Sequence, residues 1–203
     1  MTDDAPTAPE SPSPSDALGR LSAALGEAAR GRGLPPVERW NPPFCGDIDM
    51  RIDADGTWFY MGTPIGRPAL VKLFASVLRR DPERFVLVTP VERVGIAVAD
   101  APFMAVEMQV DGAGDGRTVA FRTNVDDLVA VGPDHPLRFD EDEGGGIKPY
   151  LLVRGGLWAK VTRALLYDLV ELGETRVEDG REIFGLAAGG LFIEIPGSVG
   201  AAE

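Results

Sequence analysis

The chain predicts an α+β fold of two tandem, similar units, each with one principal helix. Three observations lead there. A pattern occurs twice: Met50-Arg51-Ile52-Asp53, a Gly turn, Trp58-Phe59-Tyr60 and then a helix-like run through Leu70 and Phe74. Its second copy is Leu137-Arg138-Phe139-Asp140, a Gly-rich turn, Tyr150-Leu151-Leu152-Val153 and a helix-like run from Trp158 to Thr162. Repetition of one strand–turn–strand–helix unit is the economical reading of such self-similarity. Second, hairpin signals punctuate the chain at Ala54-Asp55-Gly56, Glu178-Asp179-Gly180-Arg181 and Ala188-Gly189-Gly190. Third, 203 residues with 44% hydrophobic content suffice for one large domain or two small ones with a proper core.

Residues 1–14 are Pro, Ser, Thr and acid and lack the apolar groups that offset ordering entropy, so they are expected to be a disordered tail. The segment 15–33 reads as an N-terminal helix, with Leu18, Leu21 and Leu25 at helical spacing and Gly31 and Gly33 ending it. The first α+β unit is placed at 34–124 and the second at 125–203. In the first, Trp40-Asn41-Pro42-Pro43 is an extended approach, because each Pro fixes its own φ and biases its neighbour. Ile48, Met50 and Ile52 alternate with Asp47, Asp49, Arg51 and Asp53, the period of a strand. Pro68 suits the first position of a helix whose stripe is Leu70, Val71, Phe74, Val77 and Leu78. Arg79 and Arg80 would sit at its negative end, and Asp81-Pro82 would stop it. Strands are expected at 85–89, 94–99, 103–110 and 118–123, with the loop 111–116 joining the last two.

Residues 125–131 read as a short helical turn opening the second unit. Strands follow at 137–140 and 150–153. A helix over 157–172, apolar around most of its circumference, is expected to bury Trp158, with Gly173 as its stop. A last strand over 191–195 ends at Pro196.

The bulk chemistry excludes several functions. Twenty Lys and Arg against 32 Asp and Glu leave a net charge of −12, which argues against nucleic-acid and anionic-membrane partners. Cys45 and His135 are the single residues of their kinds, so a disulfide within the chain and multi-Cys or multi-His metal sites are excluded. No apolar stretch has the length of a membrane span, and no signal peptide is visible, so a cytoplasmic location is expected. No cofactor or metal is expected.

Candidate site residues come from three places. Asp47, Asp49, Asp53 and Asp55 form an acidic cluster, read mainly as the solvated face of a hairpin and secondarily as a ligand contact. Trp58 and Tyr60 are aromatics beside it. The Gly62-Thr63-Pro64-Ile65-Gly66-Arg67 turn could hold an anion at a helix start, with Arg67 offering a fixed fork. Arg154-Gly155-Gly156 stands at the comparable place in the second unit. A Cys45–His135 pair is disfavoured by their separation, His135 being read as part of an exposed loop between the units.

The run Trp40-Asn41-Pro42-Pro43-Phe44-Cys45-Gly46-Asp47-Ile48-Asp49-Met50, continuing through Asp55-Gly56-Thr57-Trp58-Phe59-Tyr60-Met61-Gly62-Thr63-Pro64-Ile65-Gly66-Arg67, resembles a proteobacterial-type family of small proteins of unknown function. Asn124, Gly132-Pro133-Asp134-His135-Pro136-Leu137-Arg138 and Pro149-Tyr150-Leu151-Leu152-Val153-Arg154 resemble its further signatures. The resemblance covers about residues 34–196. It implies tandem α+β motifs with curved antiparallel sheets, a bacterial setting and a link to signal transduction. It assigns no catalytic residue.

The expected function is therefore binding rather than catalysis. A small molecule or protein partner would be held at the groove between the units, in a regulatory role, by Arg67, Asp47, Asp49, Trp58, Tyr60 and Arg154. The alternatives are a protein-interaction adaptor working through the N-terminal helix, and a hydrolase using carboxylates with Arg67. Self-association is left open.

Overall fold

The computed structural model describes residues 33–142 and 144–196. The expected tail and N-terminal helix fall outside these residues. The described chain forms two six-stranded sheets and one three-stranded sheet, with two α-helices. The first sheet holds β1 (Phe44–Ile52), β2 (Trp58–Tyr60), β3 (Thr63–Pro64), β4 (Leu78–Arg80), β5 (Phe85–Val88) and β6 (Arg93–Val98). The second holds β7 (Phe103–Asp111), β8 (Thr118–Thr123), β9 (Leu128–Ala130), β10 (Leu137–Glu141), β11 (Ile147–Arg154) and β12 (Leu157–Val161). Helix α1 (Pro68–Ser76) lies between β3 and β4, and α2 (Arg163–Glu171) follows β12. The chain then closes with the three-stranded meander β13 (Glu174–Glu178), β14 (Arg181–Ala188) and β15 (Leu191–Glu194).

The repetition is real, in a different register from the one the sequence pattern suggests. The first sheet is ordered β3-β2-β1-β6-β5-β4, and the second is β9-β8-β7-β12-β11-β10. Strand for strand the orders are identical, with β1 answering β7 and β6 answering β12. In both, two three-strand meanders meet at a central parallel pair, β1 with β6 and β7 with β12, while every other pairing is antiparallel. The sheets are thus mixed, each with one parallel seam inside a mainly antiparallel meander. Register shifts in β1/β6, β7/β8 and β11/β12 bend the strands, as bulges do. Matching β1 to β10, as the sequence motif does, is off by three strands. The helices mislead it: α1 bridges the two meanders of its sheet, whereas α2 lies beyond the last strand of its own. The boundary expected at 124/125 falls between β8 and β9 of one sheet, and the chain passes between sheets at residues 99–102.

Two segments expected to be helical are strands. Over 157–161 the burial alternates, with Leu157, Ala159 and Val161 inside and Trp158 and Lys160 half-exposed. Gly155 and Gly156 both take positive φ (47° and 75°), the signature of a two-residue type I′ hairpin turn. That turn folds β12 back on β11, and helix begins only at Arg163. Residues 128–130 likewise form β9 rather than a helical turn, paired with β8. Helix α1 ends at Ser76, so Arg79 and Arg80 lie on β4, and Asp81 and Arg84 close a hairpin to β5. Arg79 is buried. It donates to the carbonyls of Val37 (2.9 Å) and Trp40 (2.7 Å) and to Asp81 (2.8 Å), tying the extended approach to the sheet. His135 is half-buried in the tight β9–β10 connection inside the second sheet, its Nδ1 3.1 Å from the Leu152 carbonyl.

One apolar cluster runs through all three sheets and includes Met50, Trp58, Phe74, Phe103, Phe121, Leu151, Leu169 and Leu186. Trp58 stacks on Phe74 of α1 with ring centroids 6.2 Å apart. Gly56, at φ +82° in the β1–β2 turn, packs on the second sheet. A Cβ there would lie 2.6 Å from Met104 and 3.1 Å from the Asn124 amide. Both helices end on an arginine from the second sheet's strands or loops. Arg154 donates to the Ala75 carbonyl (2.9 Å) and Arg117 to the Leu172 carbonyl (2.8 Å), satisfying carbonyls that a helix end leaves open.

Burial reverses the roles of two tryptophans. Trp58 is 1% exposed, so Trp58→Ala should cost about 3–5 kcal/mol in denaturant titration. Trp158 lies on the open face of β12, and Trp158→Ala should cost about 1 kcal/mol or less.

Candidate functional site

The chain crosses from β6 to β7 through Ala99, Asp100, Ala101 and Pro102, and a cavity opens beside this junction. Its volume is about 220 Å³, and Phe85 of the first sheet and Arg138, Tyr150 and Trp158 of the second line it together with the junction. The strand period explains why these side chains converge. Arg138 faces Tyr150 across β10/β11, Tyr150 faces Lys160 across β11/β12, and Leu152 faces Trp158. Alternate residues of three neighbouring strands therefore present Arg138, Asp140, Lys148, Tyr150, Trp158 and Lys160 on one face. The opposite face carries Leu137, Leu151, Ala159 and Val161 into the core.

Asp100 anchors the junction to that face. Its carboxylate accepts from Tyr150 Oη at 2.8 Å and from Lys160 Nζ at 2.7 Å. Burial pushes the Asp100 carboxyl up, but the hydrogen bonds from Lys160 and Tyr150 outweigh it, and the group lies below the usual aspartate range. Burial, and then the bond to Asp100, raise the Tyr150 phenol well above its ordinary value. The Arg138 guanidinium lies over the groove wall, its Cζ 4.4 Å from the Trp158 ring centroid and 5.3 Å from that of Tyr150. It pairs with Asp140 at 3.1 Å, and about half of its side chain is open to solvent. A cation held by stacking keeps its hydrogen-bonding edge available to a ligand acceptor.

None of the six residues singled out from the sequence lines this groove. Arg67 is exposed at the start of α1, and its guanidinium has no partner among the described residues. The turn before it is part of a hairpin: Met61 and Gly62 (φ 48° and 73°) lead into β3, which ends at Pro64. Asp47 and Asp49 are exposed on β1, and Asp47 makes a long 3.4 Å pair with Arg84. A Cβ on Gly95 would meet the Asp47 carboxylate, so Asp47 lies across β6 within the first sheet. Trp58 is core. Tyr60 is half-buried, and burial and the Asp49 charge raise its phenol. Arg154 is a scaffold residue: it pairs with Asp127, donates to the Ala75 carbonyl, and stacks 4.8 Å from the Phe103 centroid.

The groove residues were missed because a helix over 157–172 scatters Trp158 and Lys160 away from Tyr150. The Gly155-Gly156 hairpin signal would have aligned them. Among the described residues, no group of three or more His, Cys, Asp or Glu could hold a metal ion. No helix there is long and apolar enough to cross a membrane.

Two measurements check this geometry. Arg154→Met should cost about 2–3 kcal/mol, since it strips Asp127 and the end of α1 of a partly buried partner, and Arg154→Lys should not restore it. Asp100 is held below its unfolded value, so its contribution is complete above the ordinary aspartate pKa of about 3.9 and is lost as pH falls through the folded value. The stability gap between wild type and Asp100→Asn should therefore be full at neutral pH and close in acid.

Comparison with known proteins agrees with the architecture. No curated protein matches the chain. Two family models match in tandem: the DUF1285 N-terminal domain, a domain of unknown function, over 35–101, and the DUF1285 C-terminal domain over 102–195. Their division coincides with the passage from β6 to β7. The crystal structure of a DUF1285 family protein from Silicibacter pomeroyi DSS-3 is 50% identical, with a TM-score of 0.78 over 86% of this chain and 93% of that one. A DUF1285 family protein from Shewanella baltica OS155 is 30% identical, with a TM-score of 0.48 over 61% of this chain and 91% of that one. Matched along both of its sheets and half-identical to a solved relative, the chain belongs to the DUF1285 family.

Proposed function

We propose that this chain is a regulatory binding module whose site is the groove at the junction of the two sheets. The observation that carries the reading is the joint lining. Phe85 comes from one sheet, Arg138, Tyr150 and Trp158 from the other, and Asp100 from the link between them. Seams between units are frequent ligand sites. At about 220 Å³ the groove is smaller than the roughly 300–1,000 Å³ of cavities that enclose a whole small molecule. It suits one inserted group: a planar or carboxylate-bearing side chain of a protein partner, or the head of a small ligand. Trp158 and Phe85 supply the apolar walls, and the Arg138 edge supplies the donor. Asp100, Tyr150 and Lys160 are spent on one another, and among the described residues of the groove no nucleophile is poised against a base, which supports binding over catalysis.

Native mass spectrometry of the protein purified from its own host tests the reading. The wild-type chain should carry a small-molecule or protein adduct, and the Arg138→Ala/Trp158→Ala double variant should lose it while its unfolding midpoint stays close to wild type. An adduct retained equally by the variant, or no adduct on the wild type, would remove the groove as the site.

A further inference from the structure

A second cavity lies between β11, β12 and the start of α2, with a volume of about 330 Å³. It shares no lining residue with the junction groove, and the two are neighbours through the Lys160–Asp100 pair and the cross-strand pairing of Lys148 with Asp140. Three cations reach it, Lys148, Lys160 and Arg163, on a chain whose net charge is −12. Their states differ. Lys160 is neutralised by Asp100. Lys148 is half-buried and has no hydrogen bond or ion pair among the described residues, although it faces Asp140 across β10/β11 and its charge reaches Asp100 and Asp142. Arg163 gives its Nε to the Tyr167 hydroxyl at 3.1 Å, which leaves its two terminal nitrogens free among those residues. The one acid in the lining, Asp142, is turned to its own loop, where it accepts from the Gly144 (2.9 Å) and Gly146 (2.7 Å) amides. Those amide bonds, Gly146 first, and more weakly the Lys148 charge hold its carboxyl below the usual range.

We propose that this cavity is a site for a small organic anion, a carboxylate or phosphate ester with an apolar body. The Arg163 fork takes two oxygens side by side, and Lys148 supplies the second charge. Ile147, Pro149, Val161 and Leu166 line the rest, so a bare inorganic ion would leave the apolar walls uncovered. The acidic surface elsewhere repels free anions, but at physiological salt charges beyond about 8 Å are largely screened. The local cations Lys148 and Arg163, neither held in an ion pair among the described residues, then govern capture. The inference is independent of the function proposed for the groove.

Calorimetry on the full chain tests it with three probes: phenyl phosphate, benzoate and inorganic phosphate. Saturable binding is expected for an aromatic anion, tighter than for inorganic phosphate, and the ranking of phenyl phosphate against benzoate identifies the head group. Lys148→Met and Arg163→Met should each weaken it about tenfold or more, the usual effect of losing a charged hydrogen bond. Their thermal midpoints should stay near wild type, since Lys148 has no hydrogen bond or ion pair to lose among the described residues and Arg163 loses one exposed bond to Tyr167. Leu166→Trp, which fills the cavity with every cation kept, should abolish binding. Absence of saturable binding for all three probes would overturn the site, as would binding that survives Leu166→Trp or both charge removals.

Discussion

The arrangement of the two sheets depends on how one guanidinium is held. Arg154 leaves the end of β11, pairs with Asp127 behind β8, stacks on Phe103 at the start of β7, and reaches the Ala75 carbonyl at the end of α1. Those partners belong to the second sheet and to the helix that bridges the two meanders of the first. A partly buried cation needs all its donors met, and a helix C-terminus needs a cation. Each requirement is satisfied by the other, and α1 is thereby locked against the second sheet. The Gly56 turn adds a steric lock from the opposite direction, since only a residue without Cβ lets the β1–β2 hairpin close on Met104 and Asn124.

The junction at 99–102 then brings Asp100 onto the face that carries Tyr150 and Lys160. That contact separates two cavities of different character. On one side Arg138 and Trp158 form a stacked wall with Phe85; on the other Lys148 and Arg163 face a mainly apolar pocket. An acidic chain can carry such patches because electrostatics at contact range are decided by the nearest groups, whereas net charge acts on approach and solubility.

The two duplicated sheets share one apolar cluster. Each is two meanders zipped by a parallel pair between its first and last strands. Such a sheet needs a cover on its apolar face. Here α1, the partner sheet and the β13–β15 meander supply it, and Trp58, Phe103, Leu151 and Leu186 belong to one cluster. The Gly189 turn, where a Cβ would lie 2.0 Å from the Val131 carbonyl, shows how closely the meander is seated.

Local chemistry in the sequence determined much of this. The alternation around Met50 and Ile52, Pro68 at the start of α1, and the Asp179-Gly180 and Gly189-Gly190 hairpins are legible because period and turn residues act within a few positions. The α+β class follows from them, whereas the motif match that suggests duplication lies three strands out of register. Tertiary structure alone decided three things. The run from Leu157 is apolar enough for a helix, yet a Gly-Gly turn and pairing with both β11 and β7 make it a strand, since ladder bonds outweigh weak helix propensity. Which strands correspond between units depends on the parallel pairs, which join residues far apart in the chain and leave no periodic trace. And the groove joins Phe85, Asp100, Arg138 and Trp158, four positions spread over 74 residues. Their meeting is set by sheet order and by Arg154, and no local pattern encodes either.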